Sequence, residues 1–387
     1  MPKVSRILAL ALCLAAPVRA QTIQVGCQQA ALMDAESRAF LYERAADELV
    51  SPASTVKVLT AEIVFQQLKL GRIHLDDTFD ISEHAWRTGG APSRGSSMFA
   101  SLKSHVRVED LIRGMVIDSG NDAAIALAEG IAGSEEAFVT IMNKRARELG
   151  MTRSRFANAW GKSDPQQKVT MREMVNLANR LIATYPDEYK YFGEKDFTWN
   201  KITQTNRNPL LLMNIGADGL KTGNIDEGGF AIVGSAVENG QRLIVSLNGC
   251  KTASERAEDA RRLLLWGFRA FDVRTFFQPG DEVGSVKTYG AELSDAPVVA
   301  RQPVKIFIPR GSSEKISAKI VYEGPVQAPI KEGAEIARLK VMRGATSALD
   351  IPLYAARDIA VGGLPHRAFD ALYETGAAAF RKYVLRK

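Results

Sequence analysis

The stretch SPASTVKVLT, residues 51–60, places a serine and a lysine three positions apart just ahead of a run of apolar residues at helical spacing. Pro52 is typical of the first turn of a helix, which we expect to end near Gly71. Side chains three positions apart lie on one face of a helix, so Ser54 and Lys57 can meet. The stretch therefore indicates either a serine nucleophile with its base, or a capping serine followed by a surface lysine.

A lysine is a base only when its amine is neutral, and this condition is demanding. With an unperturbed pKa near 10.4, about one lysine in 2,500 is neutral at pH 7. Lowering that pKa to about 7 takes roughly 4 to 5 kcal/mol, from burial or from a neighbouring cation. Because S-x-x-K also occurs by chance in many proteins, the pair needs partners elsewhere in the chain.

A second polar triplet, Ser119-Gly120-Asn121, interrupts two apolar helical patterns over residues 108–133. A break between two helices is expected to expose both polar side chains in a loop. The triplet is common by itself, and its position about 65 residues after S-x-x-K is what makes it informative.

A third triplet, Lys221-Thr222-Gly223, lies just ahead of a predicted β-hairpin and is expected on a strand edge. The glycine lets a substrate backbone lie against that strand. Lys221 would supply the cation that Lys57 needs nearby, and together with Thr222 it could hold a substrate carboxylate. The order and spacing of the three motifs together carry the signal.

In that order and spacing the motifs resemble the signature of penicillin-binding proteins and class A β-lactamases. More narrowly, the chain resembles the low-molecular-mass D-alanyl-D-alanine carboxypeptidases of bacterial peptidoglycan, the family that includes penicillin-binding proteins 5 and 6. The likeness runs from about residue 30 to the C-terminus and includes SPASTVK, GSSMF, LIRGMVIDSGNDAA, GADGLKTG and LLLWGF. It implies an α/β (α+β) catalytic domain of the serine β-lactamase/transpeptidase type, an antiparallel sheet flanked by helices, followed by a smaller all-β domain.

The resemblance also implies a reaction. Ser54 would attack the carbonyl between the two terminal D-alanines of a peptidoglycan stem pentapeptide, and Lys57 would take its proton. Ser119, with Lys221, would relay a proton to the leaving D-alanine. Water would then cleave the acyl-enzyme, whereas a β-lactam antibiotic would acylate the same serine and leave slowly. No cofactor is implied.

Substrate-binding roles follow from the same resemblance. Asn121 would hydrogen-bond the substrate's peptide, and Lys221 with Thr222 would hold its terminal carboxylate beside Gly223. The oxyanion would lie between two backbone N–H groups, those of Ser54 and Asn224.

Some positions depart from the family pattern. Members commonly continue K-T-G with His or Tyr and then Thr, whereas Asn224 and Ile225 follow here. Some carry an arginine soon after the second strand of the hairpin, where this chain offers Lys251, a point charge without the bidentate fork of arginine. Arg207 resembles a family arginine near the site, but a structural ion-pair role fits it as well.

The change from helical to alternating periodicity along the chain predicts two domains. Residues 31–42 read as strand, turn and strand, and further helices are expected near 134–149 and 169–184. FAIVGSAV and RLIVSLNG form a hairpin, and ASERAEDARRLLLWGFRAFD forms a terminal helix. Short alternating strands then replace helical periodicity. We therefore predict a catalytic domain over 21–272 and a β-rich domain over 273–361.

The two ends indicate an exported protein at a membrane surface. MPKVSRILALALCLAAPVRA, residues 1–20, is typical of a secretory signal peptide, and its removal takes away three cations and no acid, lowering the formal net charge from +6 to +3. That charge does not indicate nucleic acid. Residues 362–387 end in a basic amphipathic helix, which predicts peripheral anchoring at the periplasmic face of the cytoplasmic (inner) membrane, or docking onto the protein's own body.

The cysteines and histidines bear on two features, a disulfide and a metal site. Cys27 and Cys250 remain after cleavage, and an oxidising compartment permits a disulfide, although two free buried thiols are an equal alternative. The histidines and cysteines form no pattern typical of a metal site, so no metal is predicted.

Two rival functions share this fold. A class A serine β-lactamase deacylates through a glutamate-activated water, and the segment FANAWGKSDPQQKVT after the second motif has no glutamate. A non-catalytic wall-binding protein would have no need of Lys57 beside Ser54. A Ser-His-Asp hydrolase is disfavoured because the chain has no G-x-S-x-G.

Overall fold

The computed structural model describes residues 23–225, 229–311, 315–343 and 346–364. Its helices are α1 (Lys57–Lys69), α2 (Val108–Val116), α3 (Asn121–Ala132), α4 (Glu135–Glu148), α5 (Met171–Thr184), α6 (Pro186–Tyr189) and α7 (Ala253–Arg269). The strands of the first part are β1 (Gln29–Asp34), β2 (Phe40–Arg44), β3 (Thr78–Asp80), β4 (His105–Arg107), β5 (Asp196–Trp199), β6 (Ile202–Thr205), β7 (Ala217–Ile225), β8 (Gly229–Glu238) and β9 (Gln241–Cys250). Those of the second part are β10 (Phe271–Phe277), β11 (Glu282–Tyr289), β12 (Asp295–Val299), β13 (Val304–Pro309), β14 (Ile316–Val321), β15 (Val326–Gln327), β16 (Glu335–Arg343) and β17 (Thr346–Ala355).

The first part is built on a five-stranded antiparallel sheet in the order β2-β1-β9-β8-β7. Because successive residues of a strand point to opposite faces, β1 serves two cores. Ala31 and Met33 join the core made with α1 to α5, whereas Ala30 and Leu32 pack with the leucines of α7. The helices therefore cover both faces of the sheet and leave β7 as an edge strand.

The second part is all-β. It contains the ribbon β10-β13 and a six-stranded sheet in the order β14-β16-β17-β12-β11-β15, in which only β11 and β15 run parallel among the described strands. Alternating buried residues of β12 and β17 fill its interior, for example Val298 and Leu353. The predicted fold class, a helix-flanked antiparallel sheet followed by an all-β region, is confirmed.

Cys27 and Cys250 form a disulfide, which resolves the alternative that the sequence left open. Both residues are fully buried, and the bond ties the segment before β1 to the end of β9. The same segment is also tied to α7, because Asp259 of that helix accepts hydrogen bonds from the backbone N–H groups of Gly26 and Cys27.

The predicted signal peptide (1–20) and most of the predicted anchor segment (362–387) lie outside the described residues. Among the helices that the structure describes, none combines the length and the apolar composition that crossing a bilayer requires.

Candidate active site

Ser54 lies on a short 3-10 helix, Ala53–Val56, that leads directly into α1. The predicted helix is present, but its first turn is tighter than an α-helical one, and Ala53 has a φ of 45°, which is uncommon for a residue with a side chain. The backbone of Gly161 passes against Ala53 and Ser54 so closely that a Cβ there would overlap the Ala53 carbonyl. Gly161 itself has a φ of +100°, so this close passage requires glycine.

Lys57, the first residue of α1, is completely buried. Its Nζ lies 3.1 Å from Ser54 Oγ, 2.8 Å from Asn121 Oδ1 and 2.5 Å from the carbonyl oxygen of Trp160. A neutral amine has two hydrogens and one lone pair. Since Asn121 Oδ1 and the Trp160 carbonyl only accept, they take the two hydrogens and leave the lone pair for the Ser54 hydroxyl. This geometry is what a lysine base requires.

The pKa of Lys57 is lowered well below its usual value, which favours the neutral amine. Burial is the largest cause, the positive charge of Lys221 is the second, and the carboxylate of Asp122 opposes both. The sequence indicated burial or a neighbouring cation as the source of the shift. Both act here, and burial acts more strongly.

Ser119 and Lys221 form a second hydroxyl–amine pair across the cleft. Lys221 Nζ donates to Ser119 Oγ over 2.9 Å and to the carbonyl oxygen of Thr222 over 3.2 Å. Lys221 lies on the edge strand β7 and is buried, and its pKa falls to about 7 because of burial first and then the positive charges of Arg207 and Arg256. The three polar triplets therefore meet at one place.

Asn121 begins α3 and connects the second triplet to Lys57. Its backbone N–H donates to the carbonyl of Ser96, and its Nδ2 has no hydrogen-bond partner among the described residues. The neighbouring Asp122, which was not predicted from the sequence, accepts hydrogen bonds from Ser97 Oγ at 2.7 Å and from the backbone N–H of Met98 at 3.0 Å. Asp122 thereby fixes the loop that borders the site.

The K-T-G strand runs beside the 3-10 helix that carries Ser54. Thr222 is buried, Asn224 is exposed, and Gly223 lies so near the helix that a Cβ would be 3.0 Å from the carbonyl oxygen of Pro52. A side chain at 223 would therefore narrow the space between this strand and Ser54. The predicted position of the motif on a strand edge is confirmed.

Two cations near the site, Lys251 and Arg256, differ in burial. Lys251, which the sequence placed where some relatives carry an arginine, is exposed, and its backbone N–H donates to Glu255. Arg256 in α7 is instead the buried cation, with its guanidinium 5.7 Å from the Phe230 ring and its Nε without a partner in the described part of the chain. Arg256 was not predicted from the sequence. Its position near the N-terminal end of the terminal helix, five residues after Lys251, was the available signal.

Arg207 lies close enough to the site for its charge to act on Lys221. Its Nη2 donates to Gln204 Oε1 at 3.0 Å, and it makes no ion pair within the described residues. The structural ion-pair role left open for Arg207 therefore lacks a partner there.

The arrangement suits acyl transfer. It contains a hydroxyl beside an amine of lowered pKa, a second hydroxyl–amine pair, and two further cations where a ligand carboxylate could bind. The described residues contain no cluster of three or more side chains able to hold a metal ion. The segment after the second motif, where a class A β-lactamase would carry a glutamate, presents the backbone carbonyl of Trp160 to Lys57.

Comparison with known proteins gives consistent matches. The family profile described as D-alanyl-D-alanine carboxypeptidase, peptidase S11, matches residues 16–252, and that of the penicillin-binding protein 5 C-terminal domain matches residues 271–361. The D-alanyl-D-alanine carboxypeptidase DacC of Escherichia coli (strain K12) is 37% identical over 342 residues, 88% of this chain and 86% of the relative. DacA of Haemophilus influenzae is 34% identical over 360 residues, covering 92% and 91%.

Solved structures agree. Penicillin binding protein 5 from Haemophilus influenzae superimposes with a TM-score of 0.74 at 34% identity, over 88% of this chain and 99% of that one. Penicillin binding protein 6B from Escherichia coli gives a TM-score of 0.67 at 29% identity, over 87% and 97%.

Proposed function

The chain belongs to the D-alanyl-D-alanine carboxypeptidase family, and from that premise we propose that Ser54 is its nucleophile and Lys57 its general base. The protein is a serine-type D-Ala-D-Ala carboxypeptidase of the penicillin-binding protein 5/6 type. The observation that carries the residue assignment is the completely buried amine 3.1 Å from the Ser54 hydroxyl. A surface lysine beside a capping serine would not be buried in this way.

Acylation begins with proton transfer from Ser54 Oγ to the lone pair of Lys57 Nζ. The oxygen then attacks the carbonyl between the two terminal D-alanines of the stem peptide. The resulting oxyanion lies between the backbone N–H groups of Ser54 and Asn224, which stabilise the charge that develops in the transition state. The two fixed acceptors, Asn121 Oδ1 and the Trp160 carbonyl, keep the lone pair aimed at the hydroxyl.

Release of D-alanine requires a proton on its nitrogen. Ser119 gives that proton, and Lys221, which donates to Ser119 Oγ at 2.9 Å, replaces it. The pKa of Lys221, about 7, suits a group that both gives and regains a proton near neutral pH. Water then attacks the ester on Ser54 and gives one proton to neutral Lys221, while protonated Lys57 returns a proton to the departing Ser54 Oγ. The shortened peptide leaves with a free carboxyl group, and both lysines regain their starting protonation.

Recognition of the substrate uses its free carboxylate and its last peptide group. Lys221, Thr222 and the unpaired buried Arg256 surround the place for the carboxylate. The free Nδ2 of Asn121 donates to a substrate carbonyl. β-Lactams carry an equivalent carboxylate beside a strained amide, so they acylate Ser54 and block it.

The test is release of D-alanine from diacetyl-Lys-D-Ala-D-Ala, with fluorescent penicillin labelling in parallel. We expect the wild-type protein to release D-alanine and to be labelled, and Ser54→Ala to do neither while keeping its melting temperature. A binding protein without catalysis would give no D-alanine. Rapid turnover of a chromogenic cephalosporin would favour the β-lactamase alternative instead.

For the remainder of the chain we propose a signal peptide at 1–20, a catalytic domain at 21–272, a β domain at 273–361 and a membrane-surface helix at 362–387. The basic, amphipathic pattern of residues 366–387 supports peripheral binding at the periplasmic face of the inner membrane. Deleting residues 364–387 should move the enzyme to the soluble fraction. Unchanged sedimentation with membranes would contradict the anchor.

A further inference from the structure

Asp118 precedes Ser119 in the loop between α2 and α3, and the proposed mechanism gives it no task. Its exposed fraction is 1%, and within the described part of the chain neither carboxyl oxygen has a hydrogen-bond partner. A buried carboxyl that is neither paired nor hydrogen-bonded is unfavourable to folding. Such a group calls for a functional explanation.

Charged groups face Asp118 from three neighbouring segments. Lys221 comes from β7, Arg207 from the segment after β6, and Asp122 from α3. The backbone N–H of Arg207 donates to the carbonyl of Ile117 over 3.4 Å, which fixes that segment beside the loop. Burial, which has the largest effect, and the charge of Asp122 disfavour the Asp118 carboxylate, whereas the two cations favour it. The net result raises the pKa of Asp118 to about 7.

Lys221 has a matching set of neighbours. The positive charges of Arg207 and Arg256 disfavour its ammonium form, and the negative charge of Asp118 favours it. Without Asp118, the buried Lys221 ammonium would feel the positive charges of the exposed Arg207 and the buried Arg256 with no such negative charge to oppose them before a substrate arrives. In the free enzyme, the Asp118 carboxylate therefore supplies Lys221 with a negative charge of the kind that the substrate carboxylate supplies after binding.

We propose that Asp118 is a positioning residue that keeps Lys221 in its ammonium form in the free enzyme and takes up a proton from solvent when the substrate carboxylate binds. The incoming carboxylate replaces the charge of Asp118 beside Lys221, and two negative charges at that place repel each other. Protonation of Asp118 removes the repulsion. The inference rests on the proposed role of Lys221 in binding the carboxylate.

The test is the pH profile of the second-order rate constant for acylation by benzylpenicillin. In Asp118→Asn the alkaline limb should move about one pH unit downwards, because a neighbouring negative charge no longer supports the Lys221 ammonium. Asp118→Ala should give the same displacement, since both variants remove the charge. Glu129→Gln, which alters a partly buried carboxyl whose Oε2 has no partner in the described part of the chain, near the C-terminal end of α3, should leave the profile in place. An alkaline limb unmoved in Asp118→Asn would overturn the proposal.

A measurement on the wild-type enzyme covers the case in which both variants fail to fold. When benzylpenicillin acylates the enzyme at pH 7 in a weakly buffered solution, a pH indicator dye should report the uptake of a fraction of a proton per enzyme molecule from solvent. Zero uptake or proton release would overturn the inference. Failure of the proposed function looks different, because the wild-type enzyme would then not react with penicillin at all.

Discussion

Replacing Lys57 by alanine removes the proposed base and nothing else that touches the serine. The amine lies 3.1 Å from Ser54 Oγ, and no other amine of lowered pKa lies within hydrogen-bond reach of that oxygen among the described residues. General base catalysis contributes about 100- to 10,000-fold, or roughly 3 to 5 kcal/mol of transition-state stabilisation. We therefore expect the acylation rate constant of Lys57→Ala to fall by about that factor.

The substitution also affects stability, and the design must separate the two effects. Asn121 Oδ1 and the Trp160 carbonyl would lose their donor, at a cost of about 1 to 3 kcal/mol each if water does not replace it. The substitution also removes the free-energy cost of burying the Lys57 amine, which offsets part of that loss. Lys69→Ala is the matched control, because Lys69 lies at the exposed end of the same helix.

The assay is stopped-flow acylation by a fluorescent penicillin, with circular dichroism to establish folding at the assay temperature. Folded Lys57→Ala that acylates within about threefold of the wild-type rate would refute the assignment, because another group would then have to take the proton. A normal rate for Lys69→Ala is required for either conclusion.

Three further predictions concern other parts of the structure. The unfolding free energy should rise between pH 7 and about 10.5 by up to about 5 kcal/mol from Lys221 alone, because unfolded chains bind more protons than the folded one in that window; urea titrations of Lys221→Met should show a smaller rise. Arg256→Gln should raise KM for the D-Ala-D-Ala peptide about tenfold to a hundredfold, as expected for loss of a charged hydrogen bond, whereas Lys251→Ala should change it little; equal effects would remove Arg256 from the carboxylate site. Cys27→Ser should lower the unfolding free energy by about 2 to 4 kcal/mol, measured by urea titration without reductant; an unchanged value would mean that the bond to Cys250 is not formed in solution.

Much of this architecture follows from sequence pattern. Alternation within FAIVGSAV and RLIVSLNG predicted β8 and β9, and the break at Ser119 predicted the boundary between α2 and α3. Spacing on a helix predicted that Ser54 and Lys57 meet. These features depend on neighbours close in the chain, where periodicity and turn residues decide the geometry.

Other parts of the site depend on contacts that a sequence does not announce. The Trp160 carbonyl is a backbone group, so no residue type marks it as a partner of Lys57. Arg256 is distinguished only by burial without a carboxylate partner, which is a property of packing. Asp118 resembles any loop aspartate until Lys221 and Arg207 are brought beside it by distant segments.

The claim on which the mechanism depends is that Ser54 carries the acyl group. Trapping the enzyme with benzylpenicillin, digesting it and locating the adduct by tandem mass spectrometry tests that claim directly. We predict a single penicilloyl adduct on the hydroxyl of Ser54. An adduct on Ser119 or any other residue would contradict it, as would an unmodified Ser54 in enzyme that benzylpenicillin has inactivated.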